Sequence, residues 1–419
     1  MKTLKAQDSG KRPVLVMGWA ARIVVPIARS LHEIGVPVDV VDFALAPRVS
    51  SRAIREFRRV ARPDLDRAQF VEQLRQFVQQ GGHDMVIPSD DQTLSALTDH
   101  YDDLKDLLYI GCPPPETANL VLNKISTLEV AQQCGIRTPN TKLISNSAQL
   151  FESVGSLPFP WMLKPAQKET RLEETKSRTL ATADHVTANF PTGKTFTPPM
   201  LLQEYCPGAG VGVEILMHKG ECWAVFQHRR LKEFPYTGGF SVTAVAERPD
   251  PMLVEKSSAL LRALRWEGPA MVEFKVNTPD GDAVLMEVNG RYWGTISLPI
   301  FAGINFPLYH WQLIHGEIPA IPEEYAVGTK WRWTTGHLYR LHSLLVAARH
   351  SSRARKALIL SLLQLPATFS PSITDSLFSL SDPTPAIFEL LHGLRYLSAY
   401  DLGALFKRFG LPLAWSSAK

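Results

Sequence analysis

Two glutamates and an asparagine stand where oxygen ligands could gather. Met271, Glu273 and Lys275 alternate with Val272, Phe274 and Val276, and Leu285, Glu287 and Asn289 alternate with Val284, Met286 and Val288. This period-2 pattern predicts two strands with one wet face each. The Asn277-Thr278-Pro279-Asp280-Gly281-Asp282 stretch between them has turn composition. A hairpin centred on Asp280 sets Glu273 opposite Glu287 on one face, with Asn289 one step along. Facing carboxylates repel, so a shared proton, a basic side chain or a divalent cation must offset them. Mg²⁺ takes oxygen ligands and leaves positions for water and phosphate oxygens. The plainer alternative is two exposed glutamates on the wet face of a hairpin.

Cations of matching logic lie nearby in the sequence. Arg291, in Asn289-Gly290-Arg291-Tyr292-Trp293-Gly294, puts a guanidinium suited to phosphate or carboxylate beside the acidic pair. Lys164 ends an apolar strand before Pro165, a costly position unless it meets an anion. Lys124 falls on the first turn of a helix and could equally be a solvated lysine. Leu201 to Cys206 reads as a strand broken at Pro207-Gly208, whose free edge could offer backbone groups to a purine. Arg229 and Arg230 could hold an anionic substrate, with Tyr236-Thr237-Gly238-Gly239 lining the pocket, or could be an arginine pair in solvent. Trp293 and Phe301 either shape an apolar side of that pocket or pack. The twelve histidines are scattered, with no Ser-His-Asp or Cys-His logic.

The elements that must hold these groups follow from periodicity. Pro13–Met17 is a strand closed by Gly18. Ile23, Ile27, Leu31 and Ile34 mark a helix ended by Gly35, and Val36–Val41 is the next strand. A helix over Leu65–Gln80 and a strand over Met85–Ile87, before Ser89-Asp90-Asp91, continue this β-α-β order, which predicts a parallel sheet. The turn Gly18-Trp19-Ala20-Ala21-Arg22 lacks the G-x-G-x-x-G fingerprint, which disfavours a nicotinamide-dependent oxidoreductase and favours a scaffold sheet. Cys112-Pro113-Pro114-Pro115 is a stiff linker, and a helix follows from Asn123 to Cys134. Phe159–Leu163 and Met200–Tyr205 read as strands, and Val211–Met217 with Cys222–His228 as a hairpin.

The 419 residues suggest two to three domains, and 45% apolar with 21% charged residues excludes disordered, collagen-like and disulfide-miniprotein classes. The net charge of +4 fits an anionic small substrate and does not require nucleic acid. Four cysteines without a C-x-x-C pair read as reduced thiols of a cytoplasmic protein. Arg22 breaks the first apolar stretch, so no signal peptide is expected. No apolar run reaches the ~18 residues of a membrane span. From Lys330 onward eleven lysines and arginines stand against four aspartates and glutamates. Within this segment Leu358, Ile359, Leu360, Leu362 and Leu363 make a helix apolar nearly all round. Its expected place is against the core, and contact with a membrane surface is the other reading.

In order and spacing these motifs resemble the ATP-grasp superfamily, and are most similar to its carbamoyl-phosphate-synthetase-like carboxylate–amine ligases. The motifs are Leu122-Asn123-Lys124, Leu163-Lys164-Pro165, Gln203-Glu204-Tyr205-Cys206, Glu273, and Met286-Glu287-Val288-Asn289-Gly290-Arg291, within residues 14 to 316. The resemblance implies a Rossmann-like (pre-ATP-grasp) α/β domain over 1–115. It further implies α+β ATP-grasp domains over 116–325, in two subdomains with ATP between them, leaving a basic, mainly helical region over 326–419. Lys124 and Lys164 would bind ATP phosphates or the adenine edge. Gln203, Glu204, Tyr205 and Cys206 would form the adenine hinge, with backbone groups of Glu204 and Cys206 facing the base, and Glu214 would stand beside the ribose. Glu273, Glu287 and Asn289 would hold Mg²⁺, with Mn²⁺ as its substitute, and Arg291 would face the transferred phosphoryl group or the substrate carboxylate. The implied activity is ADP-forming ligation of a carboxylate, through an acyl phosphate, to an amine or less often a thiol. The partners are then small molecules, with a homodimer compatible. Many family members carry a glycine-rich flap after the second lysine. Here Ala166-Gln167-Lys168-Glu169-Thr170-Arg171 has none, and Lys168, Arg171 or Lys176 would serve as point charges. The alternative is a non-catalytic ATP-binding or scaffold protein that keeps the fold.

Overall fold

The computed structural model describes residues 10–44, 47–154, 159–168, 178–277 and 282–408. Asp280, Arg171 and Lys176 lie outside the described residues.

The first sheet is parallel throughout: β1 (Val14–Met17), β2 (Val38–Asp42), β3 (Glu56–Arg59), β4 (Met85–Pro88) and β5 (Tyr109–Ile110), in the order β3-β2-β1-β4-β5. Its inner strands β1, β2 and β4 are short runs buried on both faces, so helices must cover both sides. The helix Ala21–His32 buries Ile23, Val24, Ile27 and Leu31 on it. The helix Arg67–Gly81 buries Phe70, Leu74, Phe77 and Val78, and is capped by Asp66, whose carboxylate accepts from the Gln69 N–H. Strand order reverses at the β1/β4 boundary, where ligands of such sheets characteristically bind beyond the strand ends. There Gly18 has φ +145°, and a Cβ on it would fall 1.8 Å from Ser89 Oγ.

The second sheet is antiparallel: β6 (Thr141–Asn146), β7 (Trp161–Pro165), β8 (Arg178–Leu180) and β9 (Thr195–Glu204), in the order β6-β9-β7-β8. It has its own small core of Ile144, Leu150, Trp161, Leu163, Leu180 and Leu202.

The third sheet has seven strands: β10 (Ala209–His218), β11 (Glu221–Phe234), β12 (Phe240–Glu247), β13 (Gly268–Asn277), β14 (Asp282–Asn289), β15 (Lys330–Arg332) and β16 (Ile373–Asp375). Their order is β14-β13-β10-β11-β12-β15-β16, antiparallel except for the last pair. Two cores run without a break from the first sheet into this one. One joins Leu15, Met17 and Leu97 to Val213, Val272 and Phe274, the other Val16 and Ile27 to Phe226, Trp293 and Trp331.

After β15 the chain is mostly helical, with helices over Thr334–Ala348, Ser352–Leu363 and Thr384–Arg408. Here one expectation fails. The helix Ser352–Leu363 buries the small Ala354 and Ser361, while Ile359, Leu360, Leu362 and Leu363 are 48–73% exposed. Close approach to the helix Thr334–Ala348 selects the small residues, and the leucines are left facing out. No helix among the described residues is long and apolar enough to cross a membrane.

Candidate functional site

The β13/β14 pair carries the acidic groups. Glu273 pairs with Glu287 across the ladder and Met271 with Asn289. The register then slips, so that Phe274 meets Leu285 and Met286 is bulged out. The alternation still turns Val272, Phe274 and Leu285 into the core and leaves both glutamates on the other face. Asn289 Nδ2 donates to Glu273 Oε1 at 3.1 Å and to Glu287 Oε1 at 3.3 Å. Two carboxylates therefore converge on one amide. A half-turn of that amide would present its oxygen instead, completing a set of hard oxygen donors that fits a divalent cation.

The lysines reach the acidic pair through a pinned loop. The Lys124 N–H donates to the Ala166 carbonyl (3.1 Å) and the Lys168 N–H to the Leu122 carbonyl (3.3 Å). This fastens the exit of β7 to the start of the helix Lys124–Gln133, which Asn123 caps. Lys124 Nζ donates to the Pro165 carbonyl at 2.8 Å. Lys168 Nζ donates to the Val288 carbonyl, next to Glu287. Burial lowers the Lys164 ammonium and brings Lys124 down to about 8. Burial pushes the Glu287 carboxyl up, but Lys168, Lys124, Lys164 and Arg291 overturn that and pull it down to about 2. The Glu273 carboxyl is held up by burial and by the charge of Glu287, against the pull of Arg230. Four cations thus converge on Glu287, an excess that a polyanion such as a triphosphate would offset.

Arg291 Nη2 donates to Asp91 Oδ2 at 3.0 Å, which ties the site to the first turn of the helix after β4. Arg230 is ion-paired with Glu273, lies 3.4 Å from Glu233, and donates to the Gly239 carbonyl at 3.0 Å.

Past the end of β9 lies a cleft of about 300 Å³, lined by Arg137, Phe159, Tyr205, Cys206, Asn277 and Val284 among others. This is the lower end of the ~300–1,000 Å³ typical of small-molecule sites. The Glu204 N–H is taken by the Asn140 carbonyl (3.0 Å) and the Tyr205 N–H by the Pro160 carbonyl (3.2 Å). Of these three residues only Cys206 keeps an N–H with no backbone partner among the described residues. Gln203 is buried and donates to Thr141 Oγ1 at 2.7 Å.

Six strands of the seven-stranded sheet, β10 to β15, and their flank match a known family model. Residues 196–336 match the family described as ATP-grasp in the biosynthetic pathway with Ter operon. Solved structures agree on the fold. An L-amino acid ligase from Bacillus licheniformis superposes with a TM-score of 0.58 at 16% identity, over 72% of this chain and 73% of that one. The N5-carboxyaminoimidazole synthetase from Staphylococcus aureus complexed with ADP gives 0.58 at 13%, over 76% and 80%. A biotin carboxylase–β-γ-ATP complex from Campylobacter jejuni gives 0.57 at 13%, over 77% and 75%. The chain is thus similar to an ATP-grasp family over residues 196–336 and shares the fold of these solved structures. No curated protein matches it in sequence.

Within this fold two residues named from sequence stand apart from the rest. Glu214 does not line the cleft by Cys206. It is fully buried, its carboxyl raised by burial, and its Oε1 lies 2.5 Å from His228 Nδ1. Arg229 turns away from Arg230, as successive strand residues must, and pairs with Glu247 at 2.5 Å. Trp293 is core, packed edge-on to Phe306, and Phe301 is 44% exposed. Asp91, His228 and Arg22 were not identified from sequence. Asp91 carried a weak signal, as an acid directly after a buried strand.

Proposed function

We propose that this chain is an ATP- and Mg²⁺-dependent ligase that activates a carboxylate as an acyl phosphate and joins it to an amine. The observation that carries the reading is the convergence of Lys124, Lys164, Lys168 and Arg291 on Glu287, opposite Glu273. Adenine would enter the cleft beside Tyr205 and Cys206, with the Cys206 N–H as a donor to its edge. The triphosphate would then run past Lys164 and Lys124 to the acidic pair. A divalent cation held by Glu273, Glu287 and Asn289 would neutralise phosphate charge. Lys164 and Lys168 would draw negative charge off the γ-phosphoryl group as a carboxylate oxygen attacks phosphorus and ADP leaves. Arg291, fixed by Asp91, would orient that carboxylate. The amine then attacks the acyl carbon and phosphate departs. Positioning and charge neutralisation are sufficient for this reaction, with no covalent protein nucleophile.

In this reading the chain works as a first α/β unit over 1–115, an ATP-binding unit over 116–325 and a basic helical unit over 326–419. The exposed Ile359, Leu360, Leu362 and Leu363 follow Arg353, Arg355 and Lys356, and no acidic residue occurs from 326 to 374. Apolar and basic groups on one short helix suit an anionic membrane surface, and we assign this face to such contact.

The glycine-free stretch after Lys164 favours the second reading, a non-catalytic ATP-binding protein. A screen of carboxylates and amines for stimulated ADP release, with and without Mg²⁺, separates the two. Release that needs acid, amine and metal supports the ligase. Tight ATP binding without any stimulated release supports the binding protein.

A further inference from the structure

Arg22 is a cation with no ion pair among the described residues. It sits on the first turn of the helix Ala21–His32, just beyond the end of β1, and is partly buried. Its guanidinium carbon lies 4.0 Å from the ring centroid of Trp333 and 5.2 Å from that of Phe240. A Cβ on Gly294 would stand 3.2 Å from the same carbon, so the glycine after Trp293 gives the guanidinium its room. Among the described residues Arg22 makes no hydrogen bond and no ion pair.

The charges around it explain what is missing. Glu389, Arg291 and Arg230 are the neighbours that act on Arg22. Arg230 is matched by Glu273 and Glu233, and Arg291 by Asp91. Glu389 is engaged elsewhere, accepting from Trp333 Nε1 at 3.1 Å and from Thr335 Oγ1 at 3.2 Å. Burial lowers the Arg22 guanidinium to about 10. A partly buried guanidinium with no ion pair among the described residues is open to an arriving anion. Two aromatic rings hold its plane while leaving its N–H groups to donate.

We propose that Arg22 binds a substrate carboxylate that takes no part in phosphoryl transfer, with Trp333 and Phe240 seating an adjoining apolar group. Arg22 is not among the leading charges on Glu287, where Arg291 and the three lysines act. It therefore addresses a second anionic group, at the point where the first sheet's strand order reverses. The substrate class is an organic acid or amine with a non-reacting carboxylate beside an apolar portion. Calling the ligand a substrate rests on the ligase reading, whereas the anion site itself does not.

The test compares 3-phenylpropionate and 4-methylvalerate with their primary amides, by calorimetry and thermal shift on the full chain. Wild type is expected to bind at least one acid about tenfold tighter than its neutral amide. Arg22→Met removes that preference, and Arg22→Lys, which keeps charge but loses the planar stack, retains part of it. Glu389→Gln deletes the acid nearest the site and is expected to tighten the acids severalfold, a gain that a merely structural role would not produce. No preference in wild type, or a preference that persists in a folded Arg22→Met protein, overturns the inference. Should Arg22→Met not fold, an unchanged preference in Glu389→Gln overturns it. Failure of wild type to bind Mg·ATP sinks the ligase reading but leaves these acid–amide comparisons intact.

Discussion

The carboxylate of Asp91 lies 3.0 Å from the guanidinium of Arg291, across 200 positions of sequence. This pair joins the first turn of the helix after β4 to the loop after the acidic hairpin, and it fixes Arg291 beside Glu287. Burial opposes the Asp91 carboxylate, but Arg291 and Lys168 hold its pKa low. In the proposed function Asp91→Asn should leave Mg·ATP affinity within about twofold of wild type and cut stimulated ADP release about tenfold or more, because Arg291 loses its anchor whereas the lysines proposed to meet phosphate keep theirs. Equal losses in ATP affinity and rate would mean that Asp91 serves the nucleotide itself.

In the proposed function Lys124 would give ATP binding a pH dependence whose sign follows from its charge. Its ammonium is brought down to about 8, so the free protein loses this proton above that pH. A triphosphate prefers the charged form, so binding takes up a proton there. The ATP dissociation constant should therefore rise from about pH 8 upward, by at most about tenfold per pH unit for one group. Arginine stays charged over this range, so Lys124→Arg should flatten the profile. A wild-type profile that is flat to about pH 9.5 would contradict the role given to Lys124.

His310 sets an acid limit on stability. Its ring is buried, its Nδ1 is 3.3 Å from the Tyr292 hydroxyl, and burial lowers it to about 3. The unfolded chain takes up this proton near pH 6.5, whereas the folded chain does so only near 3. Stability is therefore lost as the pH falls through that window. From pH 6.5 to 5 this group alone should cost about 2 kcal/mol. Urea unfolding of His310→Gln at the two pH values should show a correspondingly smaller loss, and an identical loss would rule the mechanism out.

The helix Ser352–Leu363 should carry membrane affinity. Wild type is expected to co-sediment with vesicles containing phosphatidylglycerol and not with pure phosphatidylcholine, and Leu360→Glu with Leu363→Glu should abolish it. Loss of a dimer in that double variant, with no vesicle binding in wild type, would assign the face to a second copy of the chain.

The residues legible in sequence were those whose partners obey short periods. Glu273 and Glu287 meet because side chains alternate along a strand, and the bulge at Met286 left that pair intact because it falls on the turn side. The same alternation separates Arg230 from Arg229, although their adjacency suggested a joint role. Asp91–Arg291 and Arg22–Trp333 were not legible, since each joins elements that only tertiary packing brings together. In the sequence Arg22 is a charge interrupting an apolar run, which is silent about the site. Glu214 meets His228 on the neighbouring strand and on the same side of the sheet, a pairing that alternation within one strand does not reveal. The leucines of Ser352–Leu363 were expected inside, but Ala354 and Ser361 make the closer helix contact.

The most direct measurement is the thermal shift produced by ATP in wild type and in Glu287→Ala, each with and without Mg²⁺. Stabilisation of wild type that requires the metal and disappears in Glu287→Ala is the expected result. A shift of equal size in the variant, or one indifferent to Mg²⁺, would show that the facing glutamates do not receive a nucleotide-borne cation.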